Sequence, residues 1–239
     1  MPLGRSCTTT PLTNKPLLTV NINHLTRNLQ RTLPTAQVVE TPLPLCPQLN
    51  LYLISADNMQ KSFSPDEIQL ILDNTPYWTF CWASGQALAY YIFQNKPLFK
   101  NKCILDFGSG SGVVAIAAAL AGAKKVVACD IDQDALAAVK ANAALNNVEV
   151  HTCESVDEIA ERFDLIIAAD VLYDRENFYY LEKFLSYAPE ILVADSRAKK
   201  IDVSPYKKIT EINSFTLPNL DEFDEFNKVG IYQALPVHS

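Results

Sequence analysis

Three of the chain's seven glycines, Gly108, Gly110 and Gly112, fall within five positions of one another. They directly follow the apolar run CILDF (103–107) and open a run of small residues, GVVAIAAAL. A glycine turn between a strand and a helix gives a ligand close access to bare backbone. It also aims the N–H groups of the helix N-terminus at that ligand. Two carboxylates flank the turn. Asp106 stands two residues before the first glycine, and Asp130 ends the next apolar run, KVVAC, 18 residues after Gly112.

Two cofactor classes use such a turn, and Asp106 separates them. A dinucleotide would lay its pyrophosphate over the glycines, where a carboxylate opposes it. S-adenosyl-L-methionine carries an ammonium and a sulfonium and no phosphate, so a carboxylate at the strand end suits it. Asp130 then accepts from the ribose hydroxyls and Ile131 lies against the adenine. A tight turn without a ligand is the plain alternative. The next strand-like run ends in Asp170, within AADVLYD. A strand end at the switch point of a parallel sheet faces the ligand crevice, so Asp170 and Tyr173 are expected beside the reacting methyl. Capping of a following turn is the other reading of Asp170.

Upstream, YWTFCW (77–82) holds both tryptophans. If the segment is extended, Trp78, Phe80 and Trp82 share one face, which could line a cation or pack as core. Ser84 is expected to cap the following helix, leaving Gln86 free to hydrogen-bond into the site. The three histidines, at 24, 151 and 238, are scattered and receive no role. The six cysteines show no CxxC and no zinc-like spacing, so no metal site is expected, and the compartment reads as reducing and cytoplasmic.

These residues need a scaffold. From Cys103 onward, apolar strand-like runs alternate with helical ones: 103–107, a helix from 112 to about 121, 125–129, a helix over 132–145, 148–152, 164–170, a helix over 176–187, and 190–195. Apolar rather than half-polar strands in such alternation predict a parallel sheet covered on both faces. Residues 206–215 and 228–235 then read as an antiparallel edge hairpin. Before this core, residues 1–17 read as poorly ordered. A weak helix spans 20–31, four prolines keep 32–48 extended or looped, and 49–54 alternates like a strand. Ser64-Pro65-Asp66-Glu67 is a helix start. The expected organisation is an extension (1–35), a segment capping the site (36–100) and the cofactor-binding domain (101–239).

The net charge of −7 is unevenly spread: residues 1–100 carry 7 basic and 5 acidic side chains, residues 101–239 carry 13 and 22. So acidic a second half repels phosphate backbones, which argues against nucleic acid as a partner. It suits a small cation, a basic protein segment or simple solubility. The acidic group Asp221, Glu222, Asp224 and Glu225 reads as a solvated loop, with recruitment of a lysine-rich partner as the alternative. No run approaches the roughly 20 apolar residues that span a bilayer, and the N-terminus has no signal-peptide pattern.

The segments PYWTFCWASGQAL (76–88), ILDFGSGSGVVAIAAALAGA (104–123), VVACDID (126–132) and DLIIAADVLYD (164–174) together resemble one family. It is that of the electron-transfer flavoprotein β-subunit lysine methyltransferases, with bacterial relatives labelled nicotinamide N-methylase or ribosomal protein L11 methyltransferase-like. The resemblance covers roughly residues 40–235. It implies a seven-strand class I methyltransferase (Rossmann-like) α/β fold with an antiparallel last strand, and methylation of protein lysines. Two departures stand near the acceptor side: Ser84-Gly85 where relatives have Gly-Gly, and Leu172 where an aromatic is common. The expected cofactor set is Trp82, Gly85, Gln86, Asp106, Gly108, Ser109, Gly110, Gly112, Asp130, Ile131, Glu154 and Asp170. The expected catalytic pair is Asp170 and Tyr173. Methylation of L11 or of a small amine such as nicotinamide, a non-catalytic cofactor-binding module, and a nicotinamide-dependent dehydrogenase are the rival readings.

Overall fold

The structure, a computed structural model, describes residues 21–59, 64–159, 161–173, 175–198 and 201–235. The readings made for residues 1–17, Asp174 and His238 lie outside these.

Five parallel strands form the centre of a seven-stranded sheet: β3 (Cys103–Phe107), β4 (Lys125–Cys129), β5 (His151–Cys153), β6 (Leu165–Ala169) and β7 (Glu190–Asp195). Two antiparallel strands complete it, β8 (Lys207–Asn213) and β9 (Lys228–Ala234). The spatial order is β5-β4-β3-β6-β7-β9-β8, so the last strand inserts between β7 and β8. Strand order reverses between β3 and β6, which creates a crevice beyond their carboxyl ends. The α/β class and the reversed last strand are as expected. The run at 148–152 yields only a three-residue β5.

Strands β3, β4, β6 and β7 are buried on both faces, and alternate residues feed two cores. Ile104, Val126, Ile167 and Leu192 pack under α3 (Ala83–Gln94), α4 (Val113–Leu120) and part of α5 (Gln133–Leu145). Leu105, Val127, Ile166 and Val193 face the other way, against α6 (Phe178–Tyr187) and the irregular contributors Val156, Phe163, Ile201 and Tyr206. The second face is thus covered by one helix and by loops rather than by a full helical layer. Alanines in α4 bring that helix close to the sheet, because a methyl group is all that separates them.

The N-terminal part is built onto α5. Helix α1 (Ile22–Leu29) starts at Asn21, whose side chain accepts from the His24 N–H, and it buries Leu25 and Leu29 beside Ala135, Ala138 and Ala141. Strands β1 (Val38–Leu43) and β2 (Cys46–Ile54) form a separate antiparallel hairpin. Side chains of α5 stand in for a further strand along β2. Asn142 Oδ1 accepts from Tyr52 N (2.7 Å), and Asn146 both accepts from Asn50 N and donates to Asn50 O. Hairpin residues Leu43, Leu49, Leu51 and Leu53 share a core with α3 and α4. Helix α2 (Pro65–Asp73) begins at the expected proline, and a single 3-10 turn at Tyr77–Thr79 leads into α3.

Candidate active site

The glycine turn sits at the carboxyl end of β3, held by its own backbone. Gly108 N and Ser109 N both donate to Cys129 O at the end of β4 (2.9 and 3.1 Å). All three glycines have positive φ, at +66°, +49° and +81°, but they do different work. A Cβ on Gly112 would lie 3.1–3.4 Å from Val139, backbone included, so this glycine lets α4 pack on α5. A Cβ on Gly108 would strike Val171 at 2.7 Å, and one on Gly85 would strike Val113 at 2.9 Å. A Cβ on Gly110 would meet nothing within 4 Å. Gly110 is therefore the glycine with open space in front of it.

A crevice opens there, lined by Trp82 and Gly85 from α3, Asp106, the turn 108–111, Val113, Val114 and Ala169. Of the expected cofactor set it gathers Trp82, Gly85, Asp106, Gly108, Ser109 and Gly110 into one wall. Asp130 stands at the rim. Its Oδ2 accepts from Gly110 N (2.9 Å) and its Oδ1 from Asp132 N (3.0 Å), so it shapes the turn while keeping further lone pairs for a ligand. Ile131 beside it is 92 % exposed, an open apolar ledge. Glu154 follows β5 on the same side of the sheet, exposed and outside the crevice lining.

Two features of the wall are unsatisfied. The buried Ser109 Oγ has no hydrogen-bond partner among the described residues. Asp106, 1 % exposed, accepts only one described hydrogen bond, from Ala115 N at 2.9 Å. Burial pushes its carboxyl up to about 8, the Ala115 N–H opposes that rise and the Asp130 charge adds to it. A buried carboxylate without a cation, next to an unpaired hydroxyl, fits a positively charged ligand with hydrogen-bonding groups. It does not fit a pyrophosphate. The residues present therefore suit S-adenosylmethionine, with hydroxyls for Asp130 and positive charge for Asp106. Among the described residues no cluster of side chains could hold a metal ion.

Asp170 directly follows the lining residue Ala169 at the end of β6, at φ +53°. Its Oδ2 accepts from Ser84 N (2.9 Å), and its Oδ1 accepts from Ser84 Oγ (2.5 Å) and Ser196 Oγ (3.1 Å). Asp170 is thus a cap, although not of the turn that follows it. It caps α3 from the opposite side of the crevice, where the N-cap residue Trp82 has no capping side chain. Burial pushes its carboxyl up to about 6 against the pull of Ser84, and Asp195 adds to the rise. Asp195 in turn accepts from Leu172 N, Arg197 N and Ala198 N, fixing the loop after β6.

The aromatic segment differs from expectation. The 3-10 turn at Tyr77–Thr79 breaks the extended reading, and Trp78 and Phe80 are buried beside α1 and α5. Trp82 alone of the three lines the crevice, its indole N–H donating to Tyr77 O (3.1 Å). Tyr77, which the alternation pattern passed over, is instead the aromatic beside Trp82, outside the crevice lining. Its ring lies 6.0 Å from Trp82 and 5.9 Å from Tyr173, and both tyrosines are largely exposed. Gln86 is also displaced from its expected role. It is fully buried, its Oε1 accepting from Leu45 N (3.1 Å) and its Nε2 donating to Phe215 O (2.9 Å), so it ties the hairpin and the 214–217 segment to α3. Ser84 lies inside the first turn of α3 rather than at its cap. Glu222, read as solvated, accepts from Thr216 Oγ1 and Arg197.

Comparison with known proteins finds methyltransferases. Residues 89–174 match the family model for ribosomal protein L11 methyltransferase (PrmA). An electron transfer flavoprotein β-subunit lysine methyltransferase homolog of Caenorhabditis elegans is 31 % identical over 220 residues, 79 % of this chain and 89 % of that protein. The Danio rerio electron transfer flavoprotein β-subunit lysine methyltransferase is 35 % identical over 176 residues, 68 % of each chain. Among solved structures, the ribosomal protein L11 methylase of Lactobacillus delbrueckii subsp. bulgaricus superposes with a TM-score of 0.50 at 20 % identity. That match covers 64 % of this chain and 79 % of the other, and it supports the fold. With a methyltransferase sheet and a relative matched along nearly its whole length, this chain belongs to the electron transfer flavoprotein β-subunit lysine methyltransferase family.

Proposed function

We propose that this methyltransferase moves a methyl group from S-adenosylmethionine to a lysine side chain of an electron transfer flavoprotein β subunit. The observation that carries the reading is the crevice wall of Asp106, Ser109 and Gly110, facing an aromatic mouth across Asp170. S-adenosylmethionine, when bound, supplies an electrophilic methyl group on a sulfonium. Asp130 takes its ribose hydroxyls, Ser109 Oγ gains the partner it lacks, and Asp106 offsets positive charge. Tyr77 and Tyr173 guide a slender alkyl amine past Trp82, and ring faces favour a cationic arrival. Residues 36–100 act as the cap that carries this mouth.

An ammonium has no lone pair, so the acceptor must shed a proton before it attacks. With its acid raised to about 6, Asp170 is a carboxylate at neutral pH. A carboxylate beside an amine favours the protonated form, so Asp170 orients the acceptor while the proton leaves to water. The net charge of −7 favours a protein over a nucleic-acid substrate. The five described free cysteines fit a reducing compartment such as the cytoplasm.

The family model for L11 methyltransferase matches 89–174 and leaves out Tyr77, Trp82 and Ser84. It therefore speaks for a shared donor-binding half rather than for L11 as substrate. The test is transfer of a tritiated methyl group from S-adenosylmethionine to recombinant electron transfer flavoprotein β subunit, L11 protein and nicotinamide in parallel. Label on lysines of the first, located by peptide mass spectrometry, is expected. Label on L11 or nicotinamide alone would overturn the acceptor assignment.

A further inference from the structure

Ser84 is a buried serine in the first turn of α3, and both of its donors point at one carboxylate. We propose that Ser84 is a positioning residue for methyl transfer, its hydroxyl locking Asp170 so that one edge of the carboxylate stays turned to the acceptor amine. This inference rests on the acceptor-side role given to Asp170 above.

The backbone N–H of Ser84 is all that capping by Asp170 requires, and any residue but proline at position 84 could supply it. The hydroxyl adds something a cap does not need. It engages the other oxygen at 2.5 Å, with Ser196 Oγ on the same atom at 3.1 Å. Two donors on Oδ1 and one on Oδ2 fix the carboxylate plane, and the capacity left over lies mainly on Oδ2. A carboxylate held in this way presents one direction to an incoming N–H instead of swinging about its side-chain bonds. The clasp also joins the two halves of the site. Trp82 and Gly85, on the crevice wall, flank Ser84 in sequence, and Tyr173 follows Asp170 by three residues. The charged or titratable groups facing Asp170 are Asp195 from the end of β7 and Cys81 ahead of α3, and no described cation balances it there. Arg197, next to Ser196, is engaged with Glu222. The three protein donors are therefore what keep Asp170 ionised.

The experiment compares the wild-type full chain with Ser84→Ala and Ser84→Gly. Carboxyl carbon NMR follows Asp170 titration, and steady-state kinetics with a lysine acceptor and calorimetry with S-adenosylmethionine run alongside. The carboxyl midpoint is expected to rise from about 6 by roughly one pH unit in both variants, because a donor to the charged form is lost. kcat should fall about ten-fold or more while cofactor affinity stays within about three-fold. An unmoved midpoint with unchanged kcat overturns the proposal. So does a loss of cofactor binding in step with kcat in both variants, which would make Ser84 a cap only. The NMR arm needs no turnover, so absence of methyl transfer in the wild type would overturn the function proposed above without deciding the titration.

Discussion

Asp106→Asn tests the electrostatic basis of the donor site. The carboxyl is buried at the end of β3, and with burial as the main cause it rises to about 8. At pH 7 about one free molecule in ten then carries the charge. A positive ligand centre within about 4–6 Å lowers a carboxyl by about 1–3 units. Taking about 2, the bound value is about 6, so binding at pH 7 expels about 0.8 proton. Proton loss accompanies binding, hence affinity rises with pH. It should be about 25-fold weaker at pH 6 than at pH 8, and gain only about two-fold more above that. Asparagine mimics the neutral acid and can still accept from Ala115 N. The variant should lie within about two-fold of wild type at pH 6 and fall behind it by a factor of about 50 at pH 8.

Stability should move in the opposite sense. The folded-state value of Asp106 lies above the ordinary 3.8, so the folded protein holds this proton more tightly than the unfolded chain does. That contribution is fully present below about pH 4 and is lost as pH rises through about 8. Ligand-free Asp106→Asn should therefore be more stable than wild type at pH 8, with the difference closing toward pH 5. Calorimetry in two buffers of different ionisation heat counts the protons, and thermal melts follow stability. The ligand's own amine titrates equally in both proteins, so their difference isolates Asp106. Parallel pH profiles of affinity in the two proteins would refute the reasoning.

Asp170→Asn should cut turnover about 100-fold or more, leave cofactor affinity within a few fold, and lower the melting temperature by a few degrees through the weakened cap on α3. Near-normal turnover would remove Asp170 from the acceptor side. Asp130→Ala should weaken cofactor binding at least ten-fold by calorimetry, since it removes charged acceptors and frees Gly110 N. Unchanged affinity would take Asp130 out of the site. Gly112→Ala should cost about 2–4 kcal/mol in denaturant unfolding, because a Cβ meets Val139 Cα at 3.2 Å and φ is +81°. Gly110→Ala, with open space at its Cβ, should cost about 1–2 kcal/mol and act on cofactor affinity instead. If Gly112→Ala proved the milder of the two in stability, its assignment to helix packing would fail.

The crevice wall was legible because it is local. Asp106, the glycine turn and Asp130 lie within 25 consecutive residues, and fully apolar strands such as CILDF and KVVAC announce a buried parallel sheet. What the pattern misjudged was set by distant partners. Gln86 looked free because the groups that take it up, Leu45 N and Phe215 O, are 41 and 129 residues away. Trp78 and Phe80 looked like a shared face because alternation implies an extended chain. The turn at Tyr77–Thr79 instead sends them into the core with α1 and α5, and leaves Tyr77 at the mouth. Of the hairpin, the strand read at 49–54 forms most of β2, whereas β1 was hidden because Pro42 near its end and Pro44 in the turn read as loop; the pairing takes in Pro42 with a register shift beside it.

The same division explains how the chain can share a family model with L11 methyltransferases over residues 89–174 alone. That stretch contains β3, the glycine turn, Asp130 and the end of β6, which is all the donor wall requires apart from Trp82 and Gly85. Gripping one methyl donor sets the same physical problem whatever receives the methyl. The acceptor mouth proposed above adds Tyr77, Ser84 and Ser196, and the segment at 215–217 braces α3 through Gln86 and through Ala83 N on Thr216. Those residues lie on both sides of the matched stretch, and they are joined both directly, through Gln86 and Ala83, and by Asp170, which reaches across to Ser84. Substitutions in the mouth should therefore change which amine is methylated while the donor wall, held by its own backbone hydrogen bonds to Cys129, stays as it is.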